Sequence, residues 1–131
     1  MQKIHYKTND SELDASMFIN MANQVWSGDY HHQYTKEALK KTINTTAWDG
    51  DKLVGCVRVL TDGYFFGTVT EILVLPEYQN KGIGKKLMSF AFETSPTSLF
   101  FGAQPEAAAF YEKIGYEKSL QLFRKKKPRK Q

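Results

Sequence analysis

The apolar and polar positions of this 131-residue chain fall into helical and strand-like stretches whose order predicts a fold. Residues 4–7 read as a first strand. Leu13, Met17, Met21 and Val25 recur at every fourth position, which predicts a helix with cap candidates among residues 8–11. Ser27, Gly28 and Asp29 break it. A second short helix is expected over residues 36–43, with Thr35 as its cap. Residues 46–48 and 53–61 read as strands joined by a turn around Asp49, Gly50 and Asp51. Asp62 and Gly63 turn the chain again, and residues 64–75 form the expected central strand. Ile83, Leu87, Phe90 and Ala91 share one face of a third helix, which ends before Pro96. A strand over residues 98–101, a helix over 106–114 and a last strand over 117–126 complete the order βααβββαβαβ. This is a mixed α/β chain, expected to form one domain over residues 1–131.

The stretch after Leu75 carries the strongest chemical signal. An apolar strand ends at Pro76, a polar turn containing Gly82 and Gly84 follows, and a helical pattern begins. The first N–H groups of a helix lack partners within it, and its dipole favours negative charge at that end. Glycine lets a ligand approach the backbone closely. Lys81, Lys85 and Lys86 add positive charge at the same place, so the turn reads as a pyrophosphate site. A P-loop is excluded, because its first glycine would fall at Gln79 and its hydroxyl at Lys86. A dinucleotide fingerprint is excluded because Leu87 stands where a third glycine is needed.

What fits is Gln/Arg-x-x-Gly-x-Gly/Ala, present as Gln79-Asn80-Lys81-Gly82-Ile83-Gly84, with Val74 and Pro76 upstream. This resembles the acyl-CoA-binding motif of the GNAT superfamily of N-acetyltransferases. A second stretch, Ala107 to Tyr116, is similar to that family's C-terminal signature, Ala-x-x-Phe-Tyr-x-x-x-Gly-Phe/Tyr, through Phe110, Tyr111, Gly115 and Tyr116. The likeness is good over residues 49–122 and loose before residue 46. It implies a GNAT-like α/β (α+β) fold, a central mixed but mostly antiparallel sheet flanked by about four helices.

The resemblance implies direct acetyl transfer from acetyl-CoA, as acyl-donor cosubstrate, to an amine, with a small molecule favoured over a protein. Leu73 and Val74 are then expected to meet the pantetheine arm through their backbones. Gln79, Asn80, Lys81, Gly82, Ile83, Gly84 and Lys85 are expected to cradle the pyrophosphate. Tyr111 is expected near the sulfur, as the acid that protonates the departing thiolate, since a phenol stays protonated at neutral pH. Glu71 is the candidate base or cation-recognising group. A carboxylate in an apolar strand needs a reason, and strand alternation puts it on the face of Val69 and Leu73. Some family members carry a catalytic glutamate about three residues earlier, where this chain has Thr68. An ion pair with Arg58 is the alternative reading of Glu71. Trp26, Tyr30, His31 and Glu71 are expected to line the acceptor site, with Asp29, Tyr34 and the turn over residues 62–66 nearby. His31 and His32 are the other candidates for the base, since histidine as a residue type suits proton transfer near neutral pH.

Composition alters this picture little. The charge of +4 comes from Arg124, Lys125, Lys126, Lys127, Arg129 and Lys130. The other twelve basic residues face fourteen acidic ones, so residues 1–123 carry −2. The basic segment near residues 125–131 reads as a solvated tail more than as a nucleic-acid-binding arm. No apolar run approaches a membrane span and no signal-peptide pattern opens the chain, so no membrane partner is expected and the cytoplasm is the expected location. Cys56 reads as a buried small residue. No spaced cluster suggests a metal, and the resemblance allows a homodimer. A CoA-binding module without catalysis, or a nucleic-acid-associated protein using the tail, are the rival readings.

Overall fold

A computed structural model describes residues 3–130; residues 1, 2 and 131, the ends of the expected domain, lie outside the described residues. Four strands, β1 (Ile4–Lys7), β2 (Ile43–Asp49), β3 (Lys52–Thr61) and β4 (Gly67–Val74), form one antiparallel sheet in the order β1-β2-β3-β4. Helices α1 (Ala15–Val25) and α2 (His32–Leu39) connect β1 to β2. A 3-10 turn at Pro76–Tyr78 and helix α3 (Ile83–Thr94) follow β4, and α4 (Pro105–Lys113) comes last. The architecture is the expected mixed α/β sheet with four helices.

α1 begins at Asp14, not within residues 8–11. Asp14 Oδ1 accepts N–H groups from Ser16 at 2.7 Å and Met17 at 3.1 Å, closing two of the open donors of the first turn. The buried face is Ala15, Phe18, Met21 and Ala22, while Met17 is exposed. α2 begins four residues earlier than expected, because the His31 side chain accepts from the Tyr34 N–H and serves as the cap. It ends at Leu39, whose carbonyl accepts from the Asn44 amide at 2.9 Å. Ile43, expected in the helix, pairs instead with Val59 across β2 and β3.

α1 and α3 cover opposite faces of the sheet. On one face the Arg58 guanidinium lies 5.6 Å from the Phe18 ring of α1. On the other, a Cβ at Gly55 would stand 3.1 Å from Leu87 of α3, and Tyr6 packs on Phe90 with ring centres 5.2 Å apart. Ala47, Val54, Cys56 and Leu87 are fully enclosed, which makes the middle of β2, β3 and α3 the centre of the core. Burying such side chains contributes about 1.5–3 kcal/mol each for the larger ones.

β4 is shorter than the expected strand over residues 64–75. Asp62 Oδ1 accepts the N–H groups of Tyr64, Phe65 and Phe66 at 2.8–3.1 Å and holds these residues in a turn. The expected strand over residues 98–101 is reduced to one parallel bridge, Thr68 with Phe100. The expected last strand over residues 117–126 is not formed, and this segment is exposed. Its alternating pattern is there, but a strand needs a neighbour with a continuous edge, and the 98–101 segment offers one bridge only.

Candidate active site

The site is built where β4 parts from its outer neighbour. Gly67 and Val69 address that neighbour: the Phe100 N–H donates to the Gly67 carbonyl at 2.9 Å, and the Val69 N–H donates to the Phe100 carbonyl at 3.0 Å. The register with β3 then slips. Arg58 stands opposite Glu71, but Val59 stands opposite Val69, so Thr70 is an extra residue, a bulge. Downstream of it the alternation is inverted. The Leu75 N–H donates to the Val54 carbonyl at 2.9 Å, so Leu75, and Leu73 two residues before it, turn their backbones to β3. Ile72 and Val74 therefore turn theirs outward, along an edge the 98–101 segment has left. Of the two strand residues expected to offer backbone groups, Val74 faces outward and Leu73 faces the ladder. Ile72 was missed.

The bulge also corrects the placement of Glu71. It lies on the α1 face with Leu73, while Val69 lies with Ile72 on the α3 face, because the strand changes sides at Thr70. Glu71 Oε1 lies 2.6 Å from Arg58 Nε, the ion pair that the sequence offered as the alternative. Both side chains are partly buried, at 35% and 17% exposure, so the carboxylate reaches solvent but shares its charge with the guanidinium.

The glycine turn follows directly. Tyr78 anchors it, its hydroxyl donating to Asp49 Oδ2 at 2.6 Å. Gln79 Nε2 donates to the outward Val74 carbonyl at 2.9 Å, tying the turn to the strand edge. Asn80 at φ +63° and Gly82 at φ +85° both adopt left-handed backbone. Gly82 is the N-cap of α3, and no side chain caps that helix. Nothing lies within 4 Å of a Cβ built on Gly82, so the space above the first turn is open. A Cβ on Gly84 would approach Ile72 and Val74 to 3.9 Å, so the helix start sits against the free strand edge. Lys81 and Lys86 lie over the rings of Tyr78 and Tyr6 at 5.6 and 6.0 Å, and Lys85 is exposed. Left-handed backbone, uncapped N–H groups and three lysines fit a pyrophosphate by the chemistry of the donor set.

Tyr111 sits half-buried on α4. Its ring meets Phe101 edge-on at 4.9 Å and stacks on Tyr116 at 5.9 Å. Burial, and to a lesser degree the neighbouring Tyr116, raises its phenol above the ordinary value of 10.0. Gly115, at φ +104°, lets the chain leave α4 so that the Tyr116 N–H donates to the Tyr111 carbonyl at 3.0 Å. The spacing of the C-terminal motif thus serves an aromatic cluster around Tyr111.

Of the four residues expected to line the acceptor site, Trp26, Tyr30 and His31 lie in the α1–α2 connection, while Glu71 lies on β4. The Tyr30 hydroxyl donates to the Trp26 carbonyl at 2.6 Å, and the Trp26 ring is 61% exposed. His31 packs on Tyr34 at 4.3 Å, and its Nδ1 faces the Tyr34 N–H, which leaves the proton of the neutral ring on Nε2. Its capping duty explains this histidine without catalysis. His32 Nε2 lies 3.1 Å from Ser16 Oγ. The tail returns to this side, with Lys130 5.6 Å from the Tyr34 ring centre. Cys56 is enclosed in β3, and burial holds its thiol far above its ordinary range, so it is no nucleophile. Among the described residues no helix is long and apolar enough to cross a membrane, and no group of three metal-ligating side chains is brought together.

Residues 41–118 match the family described as acetyltransferase (GNAT) domain. A chloroplastic GCN5-related N-acetyltransferase 2 of Arabidopsis thaliana is 33% identical over 70 residues, 50% of this chain and 27% of its own length. The chain thus spans about a quarter of that relative. A GNAT-family acetyltransferase structure from Streptococcus pneumoniae superposes with a TM-score of 0.76 at 22% identity, over 95% of this chain and 100% of that one. An aminoglycoside N-acetyltransferase in complex with CoA superposes with a TM-score of 0.73 at 12% identity, over 97% and 96% of the two chains. Likenesses at such identities establish the fold.

Proposed function

Its match over residues 41–118 makes the chain a member of the GNAT acetyltransferase family, and from that premise we propose that it is an N-acetyltransferase that uses acetyl-CoA to acetylate a small amine. The observation that carries the reading is the uncapped N-terminus of α3, opened by left-handed Asn80 and Gly82 and set against the free edge of β4. Acetyl-CoA supplies an activated thioester and a pyrophosphate handle.

The backbone N–H groups of residues 82–85 hold the pyrophosphate in this reading, with Lys81 and Lys85 as mobile counter-charges. The outward backbone groups of Ile72 and Val74 receive the pantetheine arm as an added strand, in the manner of β-augmentation. Gln79 fixes the geometry by occupying the Val74 carbonyl. Trp26, Tyr30 and Tyr34 offer the acceptor aromatic faces, and Glu71 draws a cationic acceptor toward the strand edge or takes its proton through water. As the new C–N bond forms and the C–S bond breaks, Tyr111 gives its phenolic proton to the sulfur. Burial suits it to that task, since it keeps the phenol protonated throughout the neutral range.

The deciding experiment is free-thiol release from acetyl-CoA across a panel of small amines and peptide amines, with Tyr111→Phe in parallel. Turnover on one small-amine class, reduced in the variant, is the expected result. Binding of acetyl-CoA by calorimetry without turnover of any amine would overturn the catalytic reading. Turnover on peptide amines alone would overturn the small-molecule acceptor.

A further inference from the structure

We infer that the chain carries a second ligand site, for a small zwitterion of the free amino-acid kind, in the hollow between the segment entering α1 and one face of α2. The hollow has a volume of about 450 Å³, within the range of small-molecule sites. Its walls come from residues 9–15, α2 and residues 40–44, with no lining from β4, α3 or α4. It is therefore separate from the glycine turn and does not depend on the acyltransferase reading.

His32, Lys36 and Lys40 follow one another at four-residue spacing, one row along a helix face, and all three line the hollow. Glu12 and Asp14 stand in the opposite wall. Neither lysine is ion-paired among the described residues, where the pairs are Arg58 with Glu71 and Lys118 with Glu112. The frame keeps the walls apart. Asp14 is held as the cap of α1 by the Ser16 and Met17 N–H groups. The Glu12 N–H donates to Asp10 Oδ1, and Asp10 Oδ2 accepts from Thr46 in β2. Asn44, 3% exposed, bonds Leu39 and Thr42 and fixes the far end.

Two lysines and two carboxylates, all exposed residues, thus line one hollow large enough for a small metabolite. A ligand with a carboxylate at one end and an ammonium at the other meets opposite charge on both walls. A simple anion would meet Glu12 and Asp14 as like charges, and a simple cation would meet the lysines. Occupancy would clamp the α1 entrance to α2 and so stiffen the connection that carries Trp26, Tyr30 and His31.

The test is an NMR titration of the full chain with glycine, glutamine and phenylalanine, and with acetate and methylammonium as one-ended controls. The reporters are the buried Asn44 side-chain amide and the Leu39 backbone amide. The expected result is saturable shifts with at least one amino acid and none with either control at the same concentration. Glu12→Gln and the double variant Lys36→Gln/Lys40→Gln should each weaken binding roughly tenfold, the size of one lost charge-assisted hydrogen bond, with an unchanged circular dichroism spectrum. Equal response to acetate would replace the zwitterion site by an anion site. No saturable shift with any of the three amino acids would overturn the site itself.

Discussion

Replacing Gly82 by aspartate separates binding from folding. Gly82 caps α3 at φ +85°, and no atom lies within 4 Å of its would-be Cβ. The first carbon of the new side chain therefore meets nothing beyond the turn's own neighbouring residues. Its cost is that of a left-handed residue, about 1–2 kcal/mol, partly offset by about 0.3–1 kcal/mol for a negative charge at a helix N-terminus. A net loss of about 1 kcal/mol lowers Tm by roughly 2–8 °C, so the variant folds. The effect on CoA is larger. Two unit charges about 4 Å apart repel by about 1 kcal/mol in bulk water and about 4 kcal/mol at an effective dielectric of about 20. A carboxylate over a pyrophosphate should then cost about 2–4 kcal/mol, a roughly 30- to 1,000-fold weaker Kd. Gly82→Ala carries the backbone strain without the charge, so the difference between the two variants measures repulsion and should shrink as salt rises. Calorimetry with CoA, beside thermal melts, reads both quantities. Undiminished affinity in a folded Gly82→Asp protein would refute the placement of the pyrophosphate.

Tyr111→Phe should lower kcat roughly 10- to 100-fold, and because the folded-state phenol is raised, the parent enzyme should show no alkaline loss from this group until above about pH 10; an unaltered kcat would leave Tyr111 a packing residue. Glu71→Gln removes the charge partner of Arg58 across a 2.6 Å contact, and with both groups partly exposed the expected loss is about 1 kcal/mol in denaturant unfolding. A double-mutant cycle with Arg58→Gln isolates the pair, and a coupling near zero would show the contact to be idle. Cys56 should resist alkylation in the native protein and react only as the chain unfolds, since it is enclosed and its thiol is raised; stoichiometric labelling of folded protein at mildly alkaline pH would contradict its place in the core.

The glycine turn was legible because its chemistry is local: strand, proline, two glycines and helix lie within fifteen residues of chain. So was the β2–β3 hairpin, where Gly50 at φ +61° makes the turn expected around it. Features that depend on partners distant in sequence were not. Sequence pattern points to Thr35 as the cap of α2, but its hydroxyl donates back to the His31 carbonyl at 2.8 Å, and it is His31 that caps the helix. The bulge at Thr70 exists only in the register of β4 against β3, and no residue type announces it. Unbroken alternation puts Glu71 with Val69 and gives no sign of the outward backbone of Ile72. Residues 119–123 do alternate like a strand, but alternation cannot supply the neighbour they would need.

Thr70 matters more by its presence than by its identity. Its side chain is exposed and, among the described residues, bonds only the Arg58 carbonyl, at 3.3 Å, so many residues could stand there. Removing it would be another matter. With one residue fewer, Val69 and Glu71 would become consecutive opposite Val59 and Arg58, so every later residue would keep its face, but β4 would lose the bend and added twist that a bulge gives it where it parts from the 98–101 segment. The protein can thus afford drift in the identity of this residue but not in the count of residues, and among homologous chains the distance from the hairpin turn to the glycine turn should hold constant where the letters at this position do not.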